Sequence, residues 1–141
     1  MNNKNTSKNP PFEIVDVFNY GEKTCVIVRV NFLEIYRGHC SHNGYVSLKK
    51  PDTQNNEDYE KSYEDYQDLA EDGLTYNGYL GREYKRINTK ENNLWLMNIP
   101  EDMYFFGFDT LHAWNDEYNS SYSEVRRKTI KLAAKMIEKG I

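Results

Sequence analysis

SYSEVRRKTIKLAAKMIEKG, residues 121–140, opens on Ser121 with Glu124 three positions later and ends on Gly140. A Ser-x-x-Glu pair satisfies free N–H groups at a helix start, and glycine is the common stop, so one helix is expected from there to about Lys139. At about 3.6 residues per turn, Val125, Thr129, Ile130, Leu132, Ala133, Met136 and Ile137 share one broad arc. Arg127, Lys128, Lys131, Lys135, Glu138 and Lys139 fall opposite. An arc covering about half the circumference can contact both a sheet and a partner protomer. Arg126 breaks the pattern, lying about 20° from Ala133 and Ile137 inside the apolar arc.

The sheet that this helix needs is legible upstream. FEIVDVF (12–18) alternates in strand fashion, with Phe12, Ile14 and Asp16 on one face and Val15 and Val17 on the other. A turn at 20–23 leads into the β-branched TCVIVRVNFLEIY (24–36), which makes an antiparallel hairpin with it. HNGYVSL (42–48) reads as a tight turn at Asn43-Gly44 followed by a short strand. GLTYNGYLG (73–81) reads as a strand punctuated by glycine, and KRINTKENN (85–93) as a polar loop. LWLMNI (94–99) and MYFFGF (103–108) are apolar runs separated by a turn at Pro100-Glu101-Asp102. Residues 57–72 carry eight acids against one lysine, yet Tyr59, Tyr63, Tyr66 and Ala70 recur at helical spacing. A solvated helix that lays its tyrosines on the sheet follows, with an acidic docking surface as the alternative. The whole predicts an α+β fold: an antiparallel β-sheet followed by a C-terminal helix that packs on the sheet and on a partner protomer. Residues 1–10 are expected to form a mobile arm, and 11–141 a single domain.

Composition narrows the function classes. Apolar residues make up only 38% of the 141, but aromatics reach 14% and include twelve tyrosines, so few large side chains can build the core. A net charge of −4 gives no general pull toward polymeric nucleic acid or an anionic membrane. No apolar run approaches the roughly 18 residues of a spanning helix, and the start lacks the apolar region of a secretory signal. Cys25 and Cys40 have no paired-ligand spacing and are expected to be reduced thiols.

Chemistry concentrates in MYFFGFDTLHAWND, residues 103–116. Tyr104, Phe105, Phe106, Phe108 and Trp114 offer π-faces to a base, and Asn115 has both donor and acceptor for a base edge or a ribose hydroxyl. Asp109, His112 and Asp116 add titratable groups beside them. Arg126 on a buried helical face is costly unless paired, so it bridges to Asp109 or Asp116, holds an anionic ligand, or faces an oligomer interface. The helix N-terminus one turn away favours phosphate. A metal would need Asp109, His112 and Asp116 to converge, and a zinc set of His39, Cys40 and His42 fits no established spacing. No nucleophile elbow, P-loop or dinucleotide glycine motif is present. Binding without a cofactor or metal explains more of these residues than catalysis does.

The succession HNGYVSL, GLTYNGY, FFGFDTLHAWND and then KLA on the last helix resembles a family of small phage proteins, the first described type of Thoeris anti-defence protein. The resemblance covers about residues 35–137. It implies a sponge, which binds a cyclic ADP-ribose-type signal made by bacterial TIR-domain enzymes, holds it intact and so blocks Thoeris immunity in the cytoplasm of the infected host. It also implies a homo-oligomer, dimer or hexamer, with cyclic oligonucleotides held by some members at a second site. The family pocket takes an aromatic on the last strand, an asparagine ten residues later and arginines on the C-terminal helix. Phe105 and Asn115 have that separation, and Arg126 and Arg127 are the helical arginines. Here the chain departs from the family: its two arginines are adjacent, pointing about 100° apart, so only one enters a given pocket unless Lys131 or a neighbouring protomer intervenes.

On this expectation Phe105 and Trp114 stack, Asn115 and Asp116 bond base or ribose, and Arg126 with Arg127 holds pyrophosphate. The rival is an enzyme degrading the same signal through Asp109 and His112. A third possibility is a protein-binding inhibitor acting through the acidic 57–72 segment.

Overall fold

The computed structural model describes residues 11–31, 38–49, 56–87, 90–111 and 116–141. The expected 1–10 arm lies outside them, as does the end of the expected 24–36 strand. The elements in order are β1 (Phe12–Tyr20), β2 (Lys23–Val30), β3 (Ser41–Ser47), α1 (Asn56–Asp65), β4 (Tyr76–Gly78), α2 (Leu80–Ile87), α3 (Lys90–Leu96), β5 (Phe105–Phe108) and α4 (Tyr122–Lys139). The strands form one antiparallel sheet in the order β1-β2-β3-β5-β4. α4 packs across β2 and β3, which is the α+β arrangement expected of the sequence. Among the described residues no helix is long and apolar enough to cross a membrane.

The sheet is buried on both faces. On the α4 side, Cys25, Ile27, Val46, Phe106 and Phe108 pack with Val125, Leu132, Ala133 and Met136. On the other side, Val26, Val28, Tyr45 and Phe105 pack with Leu80, Tyr84, Ile99 and the partly buried Trp95. The two-residue alternation of the strands sends neighbours to opposite layers. Double burial explains why β3 is buried at every position.

The second layer is where sequence and structure part. GLTYNGYLG supplies only the short edge strand β4; from Leu80 the chain is helical, with Leu80 and Tyr84 buried four residues apart. The expected polar loop at 85–93 is instead the end of α2 and the start of α3, apart from residues 88–89, which are not described. The apolar run at 94–99 ends α3, with Leu94 and Met97 turned outward. Asn43-Gly44 is not a turn but lies within β3. A Cβ on Gly44 would stand 2.1 Å from Thr129 Oγ1 and 2.7 Å from the Phe108 ring, so glycine is what lets α4 settle on the sheet.

The β1 alternation is also reset. Pairing with β2 shifts between Ile14 and Asp16, a bulge at Val15. Ile14 and Val17 therefore share the layer of α2 and α3, Val15 and Phe18 pack on the other side, and Asp16 reaches α4. The outer edge of β1 is closed by Asn92 of α3, whose amide accepts from Ile14 N at 2.9 Å and donates to Phe12 O at 3.1 Å. One carboxamide thus stands in for a neighbouring strand and blocks edge pairing there.

α4 begins and ends as its sequence indicates. Ser121 Oγ accepts from Glu124 N at 3.3 Å, and Gly140 takes a left-handed conformation at φ 74° with its N–H returned to the last turn. Lys128 departs from its expected solvent position. It is 7% exposed and its Nζ donates to Asp72 at 3.3 Å, while Glu71 takes Arg127 at 3.3 Å and Lys131 at 3.4 Å. The end of the acidic segment is therefore bound to α4. Its helical part, α1, lays tyrosines on the core as expected: Tyr59 stacks on Tyr104 at 4.1 Å and Tyr63 meets Phe106 edge-on at 5.8 Å.

Gly44→Ala should force α4 off β3, with an overpacking cost of about 1–3 kcal/mol. Thermal unfolding followed by circular dichroism should show a midpoint several degrees lower. An unchanged midpoint would mean that the α4–β3 contact has slack.

Candidate functional site

The residues singled out around 103–116 do not gather into one pocket. Phe105 is fully buried in the layer of α2 and α3, so neither ring face is open to solvent. Asp109 begins a turn: its N–H donates to Thr75 Oγ1 at 2.9 Å and its Oδ1 accepts from Leu111 N at 3.0 Å. His112, Trp114 and Asn115 lie outside the described residues. Asp116 shapes the approach to α4, with its Oδ1 accepting from Asn119 N at 2.8 Å and its main-chain oxygen from Ser120 Oγ at 2.6 Å.

The two arginines turn to opposite flanks of α4. Arg126 bridges neither Asp109 nor Asp116. It pairs with Asp16 at 3.8 Å, and its guanidinium lies 4.5 Å over the Phe18 ring, because the β1 bulge delivers both residues to that flank. Its side chain remains 43% exposed, so the cost of burying it is only partly incurred. Arg127 bonds Glu124 through Nε at 2.9 Å and reaches Glu71 on the far side.

Both ends of the 110–120 connection are held by His42, which in the sequence stands out only beside His39 and Cys40 as a zinc set of no established spacing. Thr110 Oγ1 donates to the His42 main-chain oxygen at 2.7 Å, and His42 Nδ1 donates to Ser120 O at 2.8 Å. The imidazole is buried edge-on to Tyr122, and its Nε2 is a buried acceptor with no hydrogen-bond partner among the described residues. Burial above all lowers its pKa from the ordinary 6.5; the Ser120 bond opposes this and the Arg29 charge adds to it.

A concave surface lies elsewhere, at the margin of the sheet beside Tyr104, whose main-chain oxygen accepts from Leu48 N just past the end of β3 opposite His42. A cleft of about 380 Å³ is bounded by Glu60 of α1, by Asn77, Gly78 and Tyr79, by Arg82, Glu83 and Arg86 of α2, and by Tyr104. Tyr79 stands perpendicular to Tyr104 at 5.0 Å, and the Arg82 guanidinium lies 4.0 Å over the Tyr79 ring. The Tyr104 hydroxyl donates to Asn77 Oδ1, which fixes the amide with its NH₂ available to the cleft. The Tyr76 hydroxyl donates to Glu83, which pins that carboxylate in the wall. Burial, followed by the Glu60 charge and neighbouring phenols, pushes the Tyr104 hydroxyl up to about 12. It therefore acts as a neutral donor at neutral pH.

Tyr104 and Tyr59 also wall a second cavity of about 250 Å³, which Glu22, Lys23, Lys49 and Asp102 complete. Lys23 is 2% exposed there and its ammonium bonds the main-chain oxygen of Ile141; burial lowers its pKa. Among the described residues no three His, Cys, Asp or Glu side chains gather as a metal-binding group.

The cleft brings together two guanidinium groups one turn apart, a fixed amide, phenol rings and two carboxylates. Such groups recognise an anionic, hydroxyl-bearing, aromatic ligand. The sequence signal for it was the spacing of Tyr79, Arg82 and Arg86, three and four residues apart, which has meaning only once 80–87 is known to be helical. Comparison with protein-family models, curated proteins and solved structures returns no match to the chain.

His42 supplies a testable pH response. Its lowered pKa means that the folded state favours the neutral ring, so its stabilising contribution is complete above about pH 6.5 and is lost as pH falls toward the folded value. Urea unfolding should give lower stability at pH 5.5 than at pH 7.5, and His42→Gln should flatten that slope. An equal slope in the variant would place the titration elsewhere.

Proposed function

We propose that the protein binds a nucleotide of the cyclic ADP-ribose class and holds it intact, acting as an anti-defence sponge in a phage-infected host. The short motifs at 42–48, 73–79 and 105–116 support the family reading, and the pair Arg82 and Arg86 beside Tyr79, Asn77 and Tyr104 carries the assignment of the ligand to the cleft. Two guanidiniums one turn apart suit the two phosphates of a pyrophosphate. The flat Arg82–Tyr79 stack offers a base a polarisable surface, and Asn77 offers its amide to a base edge or a hydroxyl. Slow release, rather than an activated water, is what such a protein needs.

The residues first expected to grip the ligand take other parts on this proposal. Phe105 supports the sheet beneath the cleft, and Arg126 and Arg127 fasten α4 to β1 and to Glu71. Pairing of protomers belongs to the proposal as well. The outer part of the α4 arc, where Ile137 is 37% exposed beside the β1–β2 turn, is the surface a second copy would cover.

A bind-and-release experiment tests it. Excess protein is mixed with cyclic ADP-ribose isomers, free ligand is filtered away, and the protein is denatured before mass spectrometry. Intact ligand should emerge only after denaturation. Arg82→Ala and Arg86→Ala should each weaken capture about tenfold to a hundredfold, the range for losing a charged hydrogen bond, whereas Arg127→Ala should have little effect. Product in the filtrate would favour the enzyme with Asp109 and His112. Capture that survives loss of both α2 arginines but not of Arg126 would move the site to α4.

A further inference from the structure

We infer that Glu60 and Glu83 make the cleft selective for a ligand whose phosphates are joined in one pyrophosphate, each singly charged, and that they exclude one carrying an additional phosphomonoester. The inference rests on the cleft being the nucleotide site and concerns which nucleotides enter it.

The lining carries two cations, Arg82 and Arg86, and two anions, Glu60 and Glu83. Each phosphate of a pyrophosphate bridging two riboses carries one negative charge, so two guanidiniums match them one to one. A phosphomonoester brings about −1.5 to −2 at neutral pH. Among the described residues no third cation lines the cleft to receive it, and it would meet the carboxylates instead.

Neither carboxylate is arbitrarily placed. Glu83 is on the same helical turn as Arg82 and Arg86, and it cannot swing away without abandoning the Tyr76 hydroxyl. Glu60 lines the same cleft from α1, and after burial its charge, with a smaller contribution from Glu83, helps raise the Tyr104 hydroxyl. Carboxylates that repel a third phosphate also accept hydrogen bonds from vicinal ribose hydroxyls. The same two groups therefore reject one ligand and orient the other, which is how specificity is built from a repulsive element beside an attractive one.

The test compares cyclic ADP-ribose with its 2′-phosphorylated form, titrated into the full chain by calorimetry at about 0.15 M salt. The unphosphorylated ligand should bind at least about tenfold more tightly, and Glu60→Gln should shrink the ratio several-fold. Glu60 is exposed, so its variant should fold normally; a circular dichroism melt checks this. Because the discrimination is electrostatic, it should also narrow as salt is raised to about 0.5 M. Equal affinity for the two ligands, or a ratio unmoved by Glu60→Gln and Glu83→Gln, would overturn the selectivity while leaving the nucleotide site standing. Binding of neither ligand would overturn both.

Discussion

Burial of the sheet on both faces is the constraint from which the rest of the structure follows. α4 covers one face and α2 with α3 the other, so the central strands have no solvent side and even the polar residues of β3 are buried. Close packing then demands small residues where layers meet. At Gly44 the missing side chain admits Thr129 and Phe108, and at Gly107 it admits the Tyr45 ring, whose Cδ1 would stand 2.4 Å from a Cβ there. With both faces closed, open concave surface arises at the margins, where Tyr104 leads into β5 between α1 and α2. The two cavities flank this residue.

What was legible in the sequence was what local chemistry decides. Ser121, Glu124 and Gly140 bound the last helix because caps act within a few residues. The β1–β2 hairpin followed from β-branched runs around a turn, and the tyrosines of α1 from helical spacing in an otherwise acidic stretch. What escaped were features decided by distant neighbours. Gly44 resembles a turn residue until α4 is placed above it, and Lys128 resembles a solvent-facing lysine until Asp72 meets it. The Val15 bulge has no mark in FEIVDVF, yet it sends Asp16 to Arg126 and so changes the meaning of that arginine.

The candidate site was harder to read for a related reason. The chemistry of the aromatic run at 103–108 is conspicuous, but a strand buried on both faces consumes Phe105, Phe106 and Phe108 as core. Tyr104, one position outside the strand, is the aromatic whose edge and hydroxyl reach a cavity. Its partners Asn77, Tyr79, Arg82 and Arg86 sit in a segment whose glycines suggest strand punctuation. Gly81 shows why one of them is there: a Cβ would stand 2.9 Å from Ile99 O, so glycine allows α2 to approach the 99–100 backbone. In the sequence Gly81 punctuates a strand, whereas in the fold it serves packing, and without the helix the spacing of Arg82 and Arg86 carries no meaning.

The assignment of the ligand to the α2 cleft is the central claim, and a crystal structure of the protein grown with a cyclic ADP-ribose isomer tests it most directly. The account expects the pyrophosphate within hydrogen-bonding distance of Arg82 and Arg86, with a ring beside Tyr79 and Tyr104. A nucleotide seated instead against Arg126 at the start of α4, with the α2 cleft empty, would contradict it.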